Sequence, residues 1–159
     1  MNTSETFMRL IVLAVLLFFG VQACKTDKEI YIVLGENAGI TEQLTASHLK
    51  ADLEEVLGRT VEIRSEKEPG STRGQLLLMG TPASHSGIAR LAAEKAIVLS
   101  ADLPGSRGGI WAGIRQKGQK IAVLAGSDVQ GMQYAVYQYC QEILGVDPFA
   151  YWIGKSPEP

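Results

Sequence analysis

The segment Gly126-Ser127-Asp128-Val129-Gln130-Gly131 stands between an apolar run, Ile121 to Ala125, and a stretch with helical periodicity. A strand, a glycine turn and a helix in that order offer free backbone N–H groups to an anion such as phosphate. A nucleotide-binding phosphate loop also needs a lysine and a hydroxyl at the helix start, to hold the terminal phosphate and its metal. The residues after Gly131 are Met132 and Gln133, which supply neither. Asp128 would set a carboxylate against the phosphate, and the G-x-G-x-x-G spacing of dinucleotide sites is absent from the turn. Each residue fits a capped helix instead. Ser127 and Gln130 have the spacing of a capping box, and Asp128 complements the positive end of the helix dipole. Gly131 costs about 1 kcal/mol against alanine inside a helix, which points to close backbone packing against a sheet. The turn reads as a cap, and neither a nucleotide nor any other cofactor is expected.

Other reactive side chains disperse in the same way. His48 and His85 lie on separate segments with no second ligand at metal spacing, so they read as surface histidines and no metal site is expected. Ser84-His85-Ser86 is a loop tripeptide without the strand–turn–helix setting and glycine pattern of a nucleophile elbow. Glu54 and Glu55 fall on the solvent side of a helix, whereas a glycosidase needs two carboxyl groups about 5–9.5 Å apart across the scissile bond. Cys140, among Val136, Tyr139 and Ile143, reads as a buried inert thiol. No acid, base or nucleophile converges, so no catalytic residue is assigned. The net charge of −2 gives no electrostatic case for nucleic acid.

The elements that carry these residues alternate along the chain. "EIYIVLG" reads as a first strand. "ITEQLTASHLKADLEEVLGR" reads as a helix, with Leu44, Leu49, Leu53, Val56 and Leu57 near helical spacing, Thr41 where an N-cap belongs and Gly58 at the C-terminal end. "TVEIR" alternates, with Val61 and Ile63 inward, and "SEKEPGSTRG" is a polar loop. "QLLLMG" is a third strand buried on both faces, and a short helix is expected between Ser84 and Glu94. Pro104-Gly105, Gly108-Gly109 and Lys117-Gly118 divide the next stretch into two or three strands, the last being Ile121 to Ala125. The closing helix carries Val129, Met132, Val136, Tyr139, Cys140 and Ile143 on one stripe. The expected fold is α+β, a mixed β-sheet with two main helices packed on one face as a two-layer sandwich.

The first residues stand apart. Met1 to Arg9 is polar, and "LIVLAVLLFFGV" (10–21) is an apolar run suited to a signal-peptide core but short for a bilayer span. Val21-Gln22-Ala23-Cys24 resembles a lipobox, with Cys24 the lipidated residue and plain cleavage after Ala23 the alternative. Residues 1–23 therefore read as a lipoprotein-type signal peptide and 24–28 as a tether, followed by one α/β domain over 29–147. If Cys24 carries lipid, Cys140 has no disulfide partner. The expected location is a bacterial cell envelope, lipid-anchored at the outer membrane or cell surface, or else periplasmic or secreted.

The stretch "GSDVQGMQYAVYQYCQEILGVDPFAYWIGKSPEP", with Gly109-Ile110-Trp111 before it, resembles the N-terminal domain of glycoside hydrolase family 115, the xylan α-1,2-glucuronidases. Wider relatives are the non-catalytic N-terminal α/β domains of family 67 α-glucuronidases and family 20 β-hexosaminidases. The resemblance covers residues 28–159 and is strongest after Gly126. Where the family carries a basic pair between the Asp and Gly of this motif, the chain has Val129 and Gln130. The resemblance implies an accessory domain in hemicellulose breakdown, with plant polysaccharide as substrate and a separate barrel domain, missing here or separately encoded, as catalyst. It also implies that residues 148–159 are a junction, in which Phe149, Tyr151 and Trp152 form an interdomain contact, the alternative being that they fold back over the chain's own sheet. The alternative reading is a stand-alone lipid-anchored envelope module that binds glycan or a partner protein. A small enzyme in its own right has the least support, for want of an acid–base pair.

Overall fold

The computed structural model describes residues 29–70, 74–100, 102–116 and 118–147. Cys24, Phe149, Tyr151 and Trp152 lie outside them. Eight elements follow in chain order: β1 (Ile30–Leu34), α1 (Ile40–Leu57), β2 (Val61–Ser65), β3 (Gln75–Gly80), α2 (Ser86–Ala93), β4 (Gly109–Gln116), β5 (Gln119–Gly126) and α3 (Val129–Glu142). The strands form one mixed sheet in the order β2-β1-β3-β5-β4. β2, β1, β3 and β5 run parallel, and β4 pairs antiparallel with β5 as a hairpin that turns at Gly118.

Strand alternation divides the core in two. Ile30, Ile32 and Leu34 of β1 face α1 and α3, where Leu49, Leu53, Met132, Val136 and Cys140 meet them. Tyr31 and Val33 face the other side, toward Ile88 and Leu91 of α2. The two main helices thus share one face of an α+β sheet, and the short α2 partly covers the other. β3 is central and buried on both faces, because parallel strands leave no solvated side. β2 is an edge strand, and of the two residues expected inward Val61 is buried whereas Ile63 is 37% exposed.

Two local expectations are corrected. α1 is capped at Gly39, not Thr41: the Glu42 carboxylate accepts the Gly39 N–H at 2.7 Å. Its buried stripe is Glu42, Thr45, Ala46, Leu49 and Leu53, leaving Leu44 and Leu57 exposed. Of the two or three strands expected after α2, two form among the described residues, and Ile97 and Leu99 enter the core from an irregular segment.

Three glycines set how closely α3 lies on the hairpin. A Cβ at Gly131 would overlap the Gly108 carbonyl oxygen, and one at Gly109 would overlap the Gly131 carbonyl oxygen. One at Gly126 would overlap the Met132 nitrogen. The close approach expected of Gly131 is therefore real, and it is made to the start of β4.

Candidate functional site

The turn at Gly126 is closed by its own side chain. Asp128 is the N-cap of α3, accepting the Gly131 N–H at 2.8 Å and the Arg107 N–H at 2.8 Å. These N–H groups, followed by that of Gln130, hold its carboxyl below the ordinary range. The expected capping box of Ser127 and Gln130 does not form, because the Ser127 hydroxyl donates to the Ser100 carbonyl at 3.0 Å. A charged acceptor outcompetes a hydroxyl for the same donors. An incoming phosphate would meet a carboxylate already seated on the helix N-terminus.

A second constellation, missed in the sequence, sits at the C-terminal ends of β1, β2 and β3. His85 is 2% exposed, not a surface residue. The reversal after β3 places it there: Thr81 and Ser84 exchange hydrogen bonds, and Gly35 lies directly against the Ser84–His85 backbone. A side chain at Gly35 would block that approach. The Ser84 hydroxyl donates a short hydrogen bond to the buried Glu42 carboxylate, tying this loop to the start of α1. Glu66, just past β2, accepts the Glu36 N–H at 3.0 Å, the Ser86 N–H at 2.9 Å and the Ser86 hydroxyl at 2.5 Å.

His85 caps α2, its Nδ1 accepting the Gly87 N–H at 3.1 Å, and the same nitrogen is 3.1 Å from Glu66 Oε2. Nε2 is buried and makes no hydrogen bond of acceptable geometry. Burial pushes the His85 pKa down, against the opposing influence of Glu66, the Val33 carbonyl and Glu42. Burial alone would raise the Glu66 pKa; the hydrogen bonds from Ser86, Glu36 and Gly87, together with His85, bring it below the ordinary value.

Beside these residues opens a cleft of about 510 Å³, lined by Glu36, Asn37, Glu66, Lys67, Ser84 and Ser86 among others. Open α/β sheets hold ligands at this end, where chain order reverses about a strand. A serine nucleophile needs histidine Nε2 at its Oγ, yet Ser84 and Ser86 are bonded to Glu42 and Glu66, and Nε2 is buried. Lys67 pairs with Glu36 at 2.5 Å across the cleft. The signals for this cluster in the sequence are Gly39-x-x-Glu42, a helix-start spacing, and Thr81-x-x-Ser84-His85 after a strand.

The remaining candidates fall as follows. His48 is exposed. Glu54 is not merely solvated: it accepts the Val61 N–H at 2.9 Å and stands 3.4 Å from Lys50, fixing the turn into β2. Cys140 is a free, buried thiol whose pKa is pushed far up by burial and by Asp52. Among the described residues no cluster of three or more His, Cys, Asp or Glu side chains could hold a metal, and no helix is long and apolar enough to cross a membrane.

No protein-family model and no curated protein matches the chain. Among solved structures it is similar to BtGH115A, a family GH115 4-O-methyl-alpha-glucuronidase with specificity for decorated arabinogalactans. The two share a fold. The TM-score is 0.60 at 22% identity, over 83% of this chain. The chain spans 15% of the enzyme's length, so the likeness concerns one domain-sized piece of it.

Proposed function

We propose that this chain is a non-catalytic N-terminal accessory domain of a family 115-like, α-glucuronidase-type glycoside hydrolase, whose barrel lies elsewhere in the same polypeptide or on a separate one. The observation that carries the reading is the shared fold over 83% of the chain. It is supported by the side chains themselves: Glu42, Glu66, Ser84 and His85 hold loops together, and none is placed to attack or protonate a glycosidic bond. The substrate class of the assembly is plant polysaccharide bearing glucuronic acid. Two measurements test this. The DNA following the Pro159 codon should encode a barrel of several hundred residues, in frame or after one stop; an unrelated gene there defeats the fragment. The purified chain should release no glucuronic acid from glucuronoxylan or a decorated arabinogalactan, and turnover abolished by a single Asp or Glu substitution would make it an enzyme.

The leader expected over residues 1–23 is the ground for proposing an envelope location, with Cys24 as the lipid attachment point. Mature protein should then partition with membranes and carry the mass of a diacylglyceryl group, and Cys24→Ser should block that maturation. Unmodified protein in the soluble periplasm would assign plain cleavage after Ala23.

A further inference from the structure

On the α3 side of the hairpin, the sheet is not fully covered. Trp111 of β4 stands 37% exposed, and its ring meets Tyr139 of α3 edge-on, with centroids 6.2 Å apart. Between them lies an apolar groove of about 120 Å³, bounded by Trp111, Gly113, Ala122, Leu124, Tyr139 and Ile143. Gly113 creates it: a Cβ there would meet nothing within 4 Å, so the strand presents bare backbone where neighbours present side chains. A cavity of roughly 150 Å³ lined by apolar groups accepts one benzene ring. This groove therefore suits a single aromatic side chain and is too small to seat a helix or a folded partner.

The chain itself supplies aromatic side chains close by. Ile143, on the groove wall, ends α3, and Gly145 (φ 70°) turns the backbone, with the Val146 N–H returning to the Cys140 carbonyl at 3.0 Å. Val146 packs against the core that contains Leu124. Phe149, Tyr151 and Trp152 follow Asp147 by two, four and five residues. At about 3.3–3.6 Å per extended residue, all three come within roughly 18 Å of Asp147.

We propose that the groove is a docking site for this chain's own segment Phe149–Trp152, one of whose rings fills the space over Gly113. A short tether gives an effective concentration of about millimolar, so the segment outcompetes a second copy at micromolar protein. The inference does not require the accessory-domain reading, and it replaces the interdomain contact expected of Phe149, Tyr151 and Trp152 with one inside this chain.

Trp111 and Trp152 are the two tryptophans, which allows a direct test. In the full chain carrying Trp152→Phe, Trp111 fluorescence should be blue-shifted and poorly quenched by acrylamide, at any protein concentration. Combining Phe149→Ser, Tyr151→Ser and Trp152→Ser should raise the quenching constant several-fold while far-ultraviolet circular dichroism stays unchanged. Equal quenching in the two proteins overturns the proposal, and so does shielding that grows with concentration, which would assign the groove to a second copy. Gly113→Leu gives a second arm with the segment intact. It should fill the groove from within and speed chymotryptic cleavage after Phe149 or Tyr151 several-fold; an unchanged cleavage rate also overturns the proposal.

Discussion

His85 is held by two partners that want different protonation states. A neutral ring accepts the Gly87 N–H at Nδ1, whereas a protonated one would donate to Glu66 and surrender the cap of α2. Its folded pKa lies below the ordinary 6.5, so the unfolded chain binds the proton first. Stability is then full above about pH 6.5 and falls as pH drops through the folded value. Glu66, lowered from 4.5, acts in the same direction but only at lower pH, losing its contribution as pH falls through its folded value. Urea unfolding between pH 7 and pH 5 should show declining stability in the wild type. His85→Asn can still accept an N–H without titrating, and it should flatten that slope whatever its absolute stability. The helix start at Asp128 makes a second prediction at this scale. Asp128→Ala leaves the Gly131 and Arg107 N–H groups unpaired and should lower the melting temperature by several degrees; Ser127→Ala, which loses one hydrogen bond to an exposed loop, should lower it less.

At the scale of elements, the packing of α3 on the hairpin rests on absent side chains. Gly131→Ala would raise helix propensity by about 1 kcal/mol in an isolated helix. In this protein the added methyl would overlap the Gly108 carbonyl, and α3 would have to lift from the sheet. Overpacking of that kind costs about 1–3 kcal/mol or more, so equilibrium denaturation should show a net loss. Gly113→Ala, on the same face of β4, meets no backbone within 4 Å and only the ring proposed to dock there, so it should cost less than Gly131→Ala. If the two substitutions cost the same, the helix is not held at glycine distance.

For the molecule as a whole, the occupied helix start predicts indifference to phosphorylated ligands. A ligand that binds the native state alone raises the melting temperature by mass action. ATP, NAD and inorganic phosphate should leave it unmoved, and a saturable rise with any of them would mean that Asp128 gives way to an anion. The cleft between Glu36 and Lys67 is the other surface that such a screen samples, and there the carboxylates of Glu36 and Glu66 disfavour anions as well.

The sequence by itself determined the order of strands and helices, the two helices on one face and the buried, inert Cys140. Those features are written in local periodicity: β1 and β3 as apolar runs bounded by glycine, α3 as a stripe of Met132, Val136 and Cys140. It also pointed to a capped helix start at Gly126–Gly131, because the acidic and polar residues of the first turn are local facts. Which side chain makes the cap was decided by the tertiary structure. The Arg107 N–H, 21 residues away, adds a second donor to Asp128, while Ser100 draws off Ser127. The same holds for His85, a lone loop histidine until Gly35, Glu66 and Glu42 converge on the Ser84–His85 loop from the ends of β1 and β2 and from α1. Periodicity records which face of an element is buried. Polar clusters are made between segments distant in the chain, and only the packed sheet brings their donors and acceptors within hydrogen-bonding distance.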